Sequence, residues 1–333
     1  MANASFSPKD YRVFVQAEST NGTDAGIDGT LLQLDVDSIG FPSLNLNQVA
    51  DVRTGVGSIA QEVDFFQDHK AVITEYSISG TLHNDNGHKL LLQNIMGSTA
   101  STLATTSTYT PASGTYGTTS VSNATFTTYI VAKDNTDGLH VIMTGCLCTN
   151  FAITADIGTE GGMYKFSATI QTGKAPAFND ATAIGSVGAN IYSGSQITMA
   201  GLTAGAIKVR NANPILQSFG VTIDSPPVFS GVDSSGYKAF SRTAETAITA
   251  TATVKLDDLT RGLVHEFQQQ ASGTAVDTNS LVLTQGTDTN FSINIPRTML
   301  TNVAYSEGDI MMLDVEMKAL GSGTDNVLTV KVA

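Results

Sequence analysis

The stretch VITEYSISGTLHNDNGHKLLLQNIMG, Val72 to Gly97, decides the fold. From Glu75 to Leu82 the residues alternate, with Glu75, Ser77, Ser79 and Thr81 on one face and Tyr76, Ile78 and Leu82 on the other. A period of two is the pattern of a strand with one buried face. Asn84-Asp85-Asn86-Gly87 interrupts it, and an Asp or Asn there caps a helix by accepting from its free N–H groups. Leu91, Leu92 and Ile95 then recur at helical spacing, and Gly97 stands where a helix would stop.

A second stretch, Ala247 to Gly273, has the same plan. Thr249, Thr251, Thr253 and Lys255 alternate with Ala250, Ala252, Val254 and Leu256. Asp257-Asp258 is the cap, and Leu259, Leu263, Val264 and Phe267 form the predicted apolar stripe of a helix ending before Gly273.

Composition sets bounds on what surrounds these units. The chain has 333 residues, 41% hydrophobic and 14% charged, with 31 Gly and no Trp, which predicts an ordered, β-rich, loop-rich protein. The formal net charge of −13 disfavours tight binding to nucleic-acid phosphates, yet suits a surface past which DNA slides without being held. Cys146 and Cys148 stand two apart in a predicted strand, a spacing that does not suit a disulfide, and two ligands are too few for zinc. They are read as free structural thiols of a reducing compartment. The N-terminus MANASFSPKDYRVFV lacks the pattern of a signal peptide. No apolar run reaches the roughly 20 residues of a membrane helix, so no membrane is expected.

Along the chain, an arm to about residue 10 precedes a strand at Tyr11–Ala17, and Leu31–Ile39 alternates as one strand. Between Gly40 and Lys70 the pattern weakens, with a turn at Phe41-Pro42. Ser98 to Asn123 is nearly all Ser, Thr, Gly, Ala and Tyr, and a loop of that length is usually functional. Strands follow at Thr125–Val131, Gly138–Ile153 and Tyr164–Gln171. The segment Gly173–Gly205 is rich in Gly, Ala and Ser. The expected organisation is a first domain over 1–175 with the Ser/Thr-rich loop at 98–123, a linker over 176–205, and a second domain over 206–333.

The two domains read as copies. Leu147-Cys148-Thr149-Asn150-Phe151-Ala152 echoes Met299-Leu300-Thr301-Asn302-Val303-Ala304 at an offset of 152, and Glu160-Gly161 echoes Glu307-Gly308 at 147. Gly87 and Gly262, at the helix starts, are 175 apart. The drop from 175 to 152 matches the size of a loop present only in the first copy. More faintly, Leu31-Leu32-Gln33 echoes Ile215-Leu216-Gln217. This pattern is two copies of one β-rich unit, the first with an insertion.

These residues carry a family resemblance. The segments 74–97 and 249–273, the strands within Asn290–Pro296 and Gly308–Lys318, and the closing strand Val327–Val332 resemble a tail tube (major tail) protein of long-tailed bacteriophages. The likeness spans Leu31 to Ala333. It implies a mainly β fold of two tandem tail-tube-like β-sandwich or barrel domains, each with one flanking α-helix. Such domains join edge to edge in a ring around a channel, and the rings stack into the tube through which DNA leaves. A tandem chain then implies a homo-oligomer of trimeric, pseudo-sixfold rings. Further implied partners are other tail proteins, namely ruler, tail tip and terminator. DNA passes transiently without specific binding, and the protein resides in the virion tail after synthesis in the host bacterial cytoplasm.

Each sheet would then use its two faces differently. Tyr76, Ile78, Leu82, Phe166, Ala168, Ile170, Ala252, Val254, Leu256, Leu313, Val315 and Met317 face the helices. Glu75, Ser77, Lys165, Ser167, Thr169, Thr251, Thr253, Asp314, Glu316 and Lys318 are the expected channel-lining residues. The N-terminal arm, Ser98–Asn123 and Gly173–Gly205 are expected to contact stacked rings.

The residues of chemistry point nowhere else. No phosphate loop, dinucleotide fingerprint or HExxH is present. His83, Asp85 and His88 cluster at the strand-to-helix turn, where capping accounts for Asp85 and exposure for the histidines. Asp257-Asp258 reads as capping, and His140 and His265 have no partner pattern. The expectation is no enzyme, no catalytic residues, no metal and no cofactor. A capsid decoration protein or adhesin-type β binding module would share the Ser/Thr-rich loops but would not polymerise. A hydrolase on a β scaffold would need a nucleophile or acid pair that the sequence does not offer.

Overall fold

The computed structural model describes residues 7–26, 31–42, 47–50, 65–68, 73–96, 106–109, 125–132, 140–179, 196–199, 207–210, 213–232, 234, 238–242, 246–271, 281–284, 291–306, 309–321 and 327–332. In the first half, β1 (Tyr11–Ala17), β2 (Leu32–Leu34) and β3 (Val36–Ile39) precede a hairpin of β4 (Asn47–Ala50) and β5 (Phe65–Asp68). Then come β6 (Thr74–Thr81), helix α1 (Asn86–Ile95), β7 (Thr106–Tyr109), β8 (Phe126–Ala132), β9 (His140–Asp156), the single turn α2 (Ile157–Glu160), β10 (Tyr164–Thr172) and β11 (Ala177–Asn179). The second half holds β12 (Leu216–Asp224), the hairpin β13 (Val228–Ser230) and β14 (Ala239–Ser241), β15 (Ala247–Lys255) and α3 (Gly262–Ala271). It closes with β16 (Leu281–Thr284), β17 (Phe291–Ile295), β18 (Thr298–Ser306), β19 (Met312–Ala319) and β20 (Leu328–Val332).

Among the described residues, 12 strands form one antiparallel sheet whose main path is β3-β6-β10-β9-β12-β15-β19-β18. The first four strands and the last four follow the same order. Their registers agree as well. A bulge falls between Val36 and Ser38 on β3 and between Leu216 and Ser218 on β12, 180 residues on. Another skips Thr149 on β9 and Thr301 on β18, at the expected offset of 152. A bulge leaves one residue unpaired and bends its strand, so coincident bulges mean coincident curvature. Even the outlying hairpins match: Val49 pairs with Phe66 as Phe229 pairs with Phe240. Gly40 and Gly220 are equivalent too. A Cβ at either would lie within 3 Å of the hydroxyl of Ser77 or Thr251 on the facing strand, which would have to shift.

Alternation explains which face is buried. Tyr76, Ile78, Phe166, Ala168 and Ile170 lie on one side of the first half, with Ala252, Val254, Leu313, Val315 and Met317 in the second, all buried; Leu256 is partly buried against the same core. Helix α1 seals the first half with Leu91, Leu92 and Ile95, each at most 1% exposed. Burying each such side chain stabilises by about 1.5–3 kcal/mol. Asp85 is the N-cap, accepting from the His88 N–H at 3.0 Å. Asp257 caps the turn before α3, accepting from Leu259 and Thr260 N–H groups at 2.9 and 3.2 Å.

The structure corrects several expectations. Leu31–Ile39 is not one strand: it breaks at Asp35, where β2 pairs with β1 and β3 turns to pair with β6. Leu259 is 60% exposed and outside the α3 stripe, because the helix starts only at Gly262. The Ser98–Asn123 loop contains β7, which pairs with β20 at the far end of the same chain; its other residues lie outside the described ones. Within 176–205, β11 pairs with β9, and Gln196 and Thr198 bridge to His83 and Met163. Those two stretches are part of the first half rather than spacer. Gly97 and Gly273 lie outside the described residues.

Candidate assembly edges and polar sheet face

The joint between the halves is made by strand pairing. Residues 150–156 of β9 pair with β12 over seven positions, from Asp224↔Asn150 to Ser218↔Asp156. At the centre of this joint, Val221 faces Ile153, and both are 1% exposed. A single buried arginine staples it from behind. Arg242 donates to the Ser225 carbonyl at 2.5 Å, the Cys148 carbonyl at 2.8 Å and Asn94 Oδ1 at 3.1 Å. Burial pushes its guanidinium pKa down to about 10, and these three acceptors are neutral rather than carboxylate. Nothing in the local sequence Phe240-Ser241-Arg242-Thr243 marks this residue, because its partners lie 94 and 148 residues away.

The equivalents of β9 and β12 at the ends of the path are β18 and β3, the terminal strands of the sheet among the described residues. Carrying the β9–β12 register across by the offsets 152 and 180 sets Tyr305 opposite Phe41. In the single chain both are large and exposed, Tyr305 at 57% and Phe41 at 41%. Their counterparts Ile153 and Val221 are buried. The Gly40 N–H points inward to the Ser77 carbonyl at 2.7 Å. Groups two residues apart on a strand point the same way, so the missing N–H of Pro42 also falls inward and leaves the outer edge of Phe41 able to pair.

The ten residues expected to line a channel fall on one face of the continuous sheet. Thr169 pairs with Ser77, Glu316 with Thr251 and Asp314 with Thr253, while Lys165, Ser167, Glu75 and Lys318 stand on the same side of their strands. Every one is exposed or half-buried. The face is knit by polar contacts: Lys165 Nζ to Asp37 at 2.7 Å, Gln171 to Glu75 at 2.5 Å and Thr253 Oγ1 to Asp314 at 2.7 Å. The joint adds Asn150, Thr154, Asp156, Thr222 and Asp224 to it, so acidic groups outnumber Lys165, Lys255 and Lys318.

The histidine turn is buried, contrary to the exposure expected of it. His83 is 4% exposed and His88 fully covered. Each pairs with its own carboxylate, His83 Nε2 with Asp35 at 2.8 Å and His88 Nδ1 with Asp85 at 2.8 Å. The rings stack with centroids 6.2 Å apart. Burial alone would raise the Asp85 pKa, but the hydrogen bonds and proximity of His88 outweigh it and leave the carboxyl lowered. Among the described residues no group of three or more His, Cys, Asp or Glu is arranged to hold a metal. Cys146 and Cys148 are free and buried, and burial pushes both thiols up to about 12. His140 is buried, its Nδ1 accepting from Ala132 N–H at 3.1 Å, and His265 contacts Gln269. No helix among the described residues is long and apolar enough to cross a membrane.

Comparison with known proteins finds no family that matches this chain and no similar curated protein.

Proposed function

We propose that the chain is a structural subunit of a bacteriophage tail tube, two tandem tube domains that assemble edge to edge into rings around a channel for DNA. One observation carries this reading: the halves already join through β9 and β12, and the ends of the same sheet repeat that joint's two strands. A strand edge left open is a liability unless another strand covers it, and ring closure covers every edge. Three chains supply six four-stranded units, a pseudo-sixfold ring. The acidic, hydroxyl-rich face lines the channel, where it repels phosphates and lets DNA slide. Catalysis plays no part, and ruler, tip and terminator proteins meet the ends of the stacked rings.

Electron microscopy of the purified protein tests this directly. The expected images are rings or tubes whose units repeat in threes, with chains linked by disulfides in a Phe41→Cys/Tyr305→Cys double variant. A compact monomer under every assembly condition would overturn the proposal in favour of a decoration or adhesin-type module.

A further inference from the structure

The two halves differ at one strand end. In the first, Leu82 N–H donates to the Tyr164 carbonyl at 2.8 Å, and residues 196–199 add a third strand beside them. Tyr164 N–H donates to the Ile197 carbonyl at 2.9 Å, Ile197 N–H to the Leu82 carbonyl at 3.2 Å, and Met199 N–H to the Gly162 carbonyl at 2.6 Å. Leu82, Tyr164 and Ile197 are at most 1% exposed.

The second half has the same site without its cover. Leu256 N–H donates to the Met311 carbonyl at 3.0 Å, as Leu82 does to Tyr164. Among the described residues no segment pairs beside them. Met311 is 51% exposed, Ile310 60% and nearby Ile215 61%, and a pocket opens between Ile215, Lys255, Ile310 and Met312. Exposed apolar side chains grouped beside strand ends mark a place for another strand.

We infer that this site receives the N-terminal residues of the next chain in the ring. The inference rests on the assembly proposed above. Residues 196–199 lead into the second half, and the bridge Lys208↔Val282 corresponds to Phe14↔Tyr129 in the first. Counting back from Phe14 as 196–199 stand back from Lys208 gives Ala2 to Ser5. What leads into the second half covers the first, so what leads into the first half of one chain covers the second half of its neighbour. Ala2-Asn3-Ala4-Ser5 is small and uncharged, suited to strand addition through its backbone, and Phe6 adds an apolar group next to it.

The test is disulfide trapping in assembled full-length protein. Thr198 bridges Met163, so Ala4→Cys is paired with Ile310→Cys, and Asn3→Cys and Ser5→Cys cover a one-residue slip. The native thiols are buried and do not compete. The expected result is a ladder of linked chains on a non-reducing gel, matching that from Phe41→Cys/Tyr305→Cys. Deleting residues 2–6 is expected to raise the half-assembly concentration about tenfold while the monomer melts as before. A ladder from the edge pair but none from the arm pairs overturns this inference alone, as does a disulfide closing within one chain or a deletion without effect. Absence of both ladders overturns the assembly as well.

Discussion

His88 and Leu263 hold the same place in the two halves, each on the first turn of its helix and each facing the core. In the first half that place needs a carboxylate beside it, and Asp85 supplies one; in the second, a leucine fills it alone. A similar contrast sits one strand away. At Gly80 an added Cβ would come within 1.9 Å of the Asp35 carbonyl oxygen, because the β2–β3 corner crosses there. Its counterpart, by the register of the facing strands, is Val254, buried against the core. The shared feature is the sheet with its bulges. The differences lie at the tight β2–β3 corner of the first half, beside which Asp35 and Asp85 each hold a histidine ring.

Five tests probe this comparison, in descending order of effect, one of them a matched pair of substitutions. Tyr305→Pro strikes the edge that β9 has covered and β18 has not. Its lost N–H points away from β19, so the monomer is expected to keep its melting temperature, while the proposed assembly, read by electron microscopy or sedimentation, is expected to be abolished. Arg242→Met removes the staple between halves and takes the arginine donor from the buried Ser225 and Cys148 carbonyls, while Asn94 Oδ1 keeps the Cys148 N–H, with an expected loss of about 3–5 kcal/mol in denaturant unfolding. Gly80→Ala is expected to cost about 3 kcal/mol, because backbone must move. Val254→Ala should cost less, about 1–3 kcal/mol, as a plain truncation. If the two cost the same, the corner is not what separates the halves.

The fourth test concerns acid. The folded Asp85 carboxyl titrates below its ordinary value of 3.8, so it stabilises the fold above that pH and the contribution is lost as pH falls through the lower folded value. Asp85→Asn should therefore lower stability by about 1–2 kcal/mol at pH 7 and by progressively less below pH 4, read from melts across that range. The smallest effect belongs to Lys165→Ala. Its bond to Asp37, itself 59% exposed, lies on the polar face and contributes about 0–1 kcal/mol. A larger loss would mean that this face is not solvated in the free chain.

Much of the sheet was legible because it is periodic. The alternations at Glu75–Leu82, Tyr164–Gln171 and Ala247–Leu256 each became strands, and the offsets 152 and 147 are the structural ones. The first strand is the exception: Leu31-Leu32-Gln33 echoes Ile215-Leu216-Gln217 in sequence, whereas the bulges align Val36 with Leu216. Alternation looks unbroken through Asp35, since a corner and a bulge change direction without changing residue type. Arg242 and the burial of His83 and His88 escaped for another reason. Each depends on a partner element far along the chain or across the turn, which local pattern does not encode. The exposed Phe41 and Tyr305 are ordinary single hydrophobics in sequence and gain meaning only from the joint that Val221 and Ile153 make.

Strand β7 ties the second half back to the first. Leu328–Lys331 lie against Thr106–Tyr109, more than two hundred residues earlier in the sequence. A fragment cut between the halves would leave the C-terminal piece with an unpartnered flank and a tendency to clump. Strand β7 therefore gains its pairing partner only once β20 has been made, and a chain stopped short of β20 leaves that edge open.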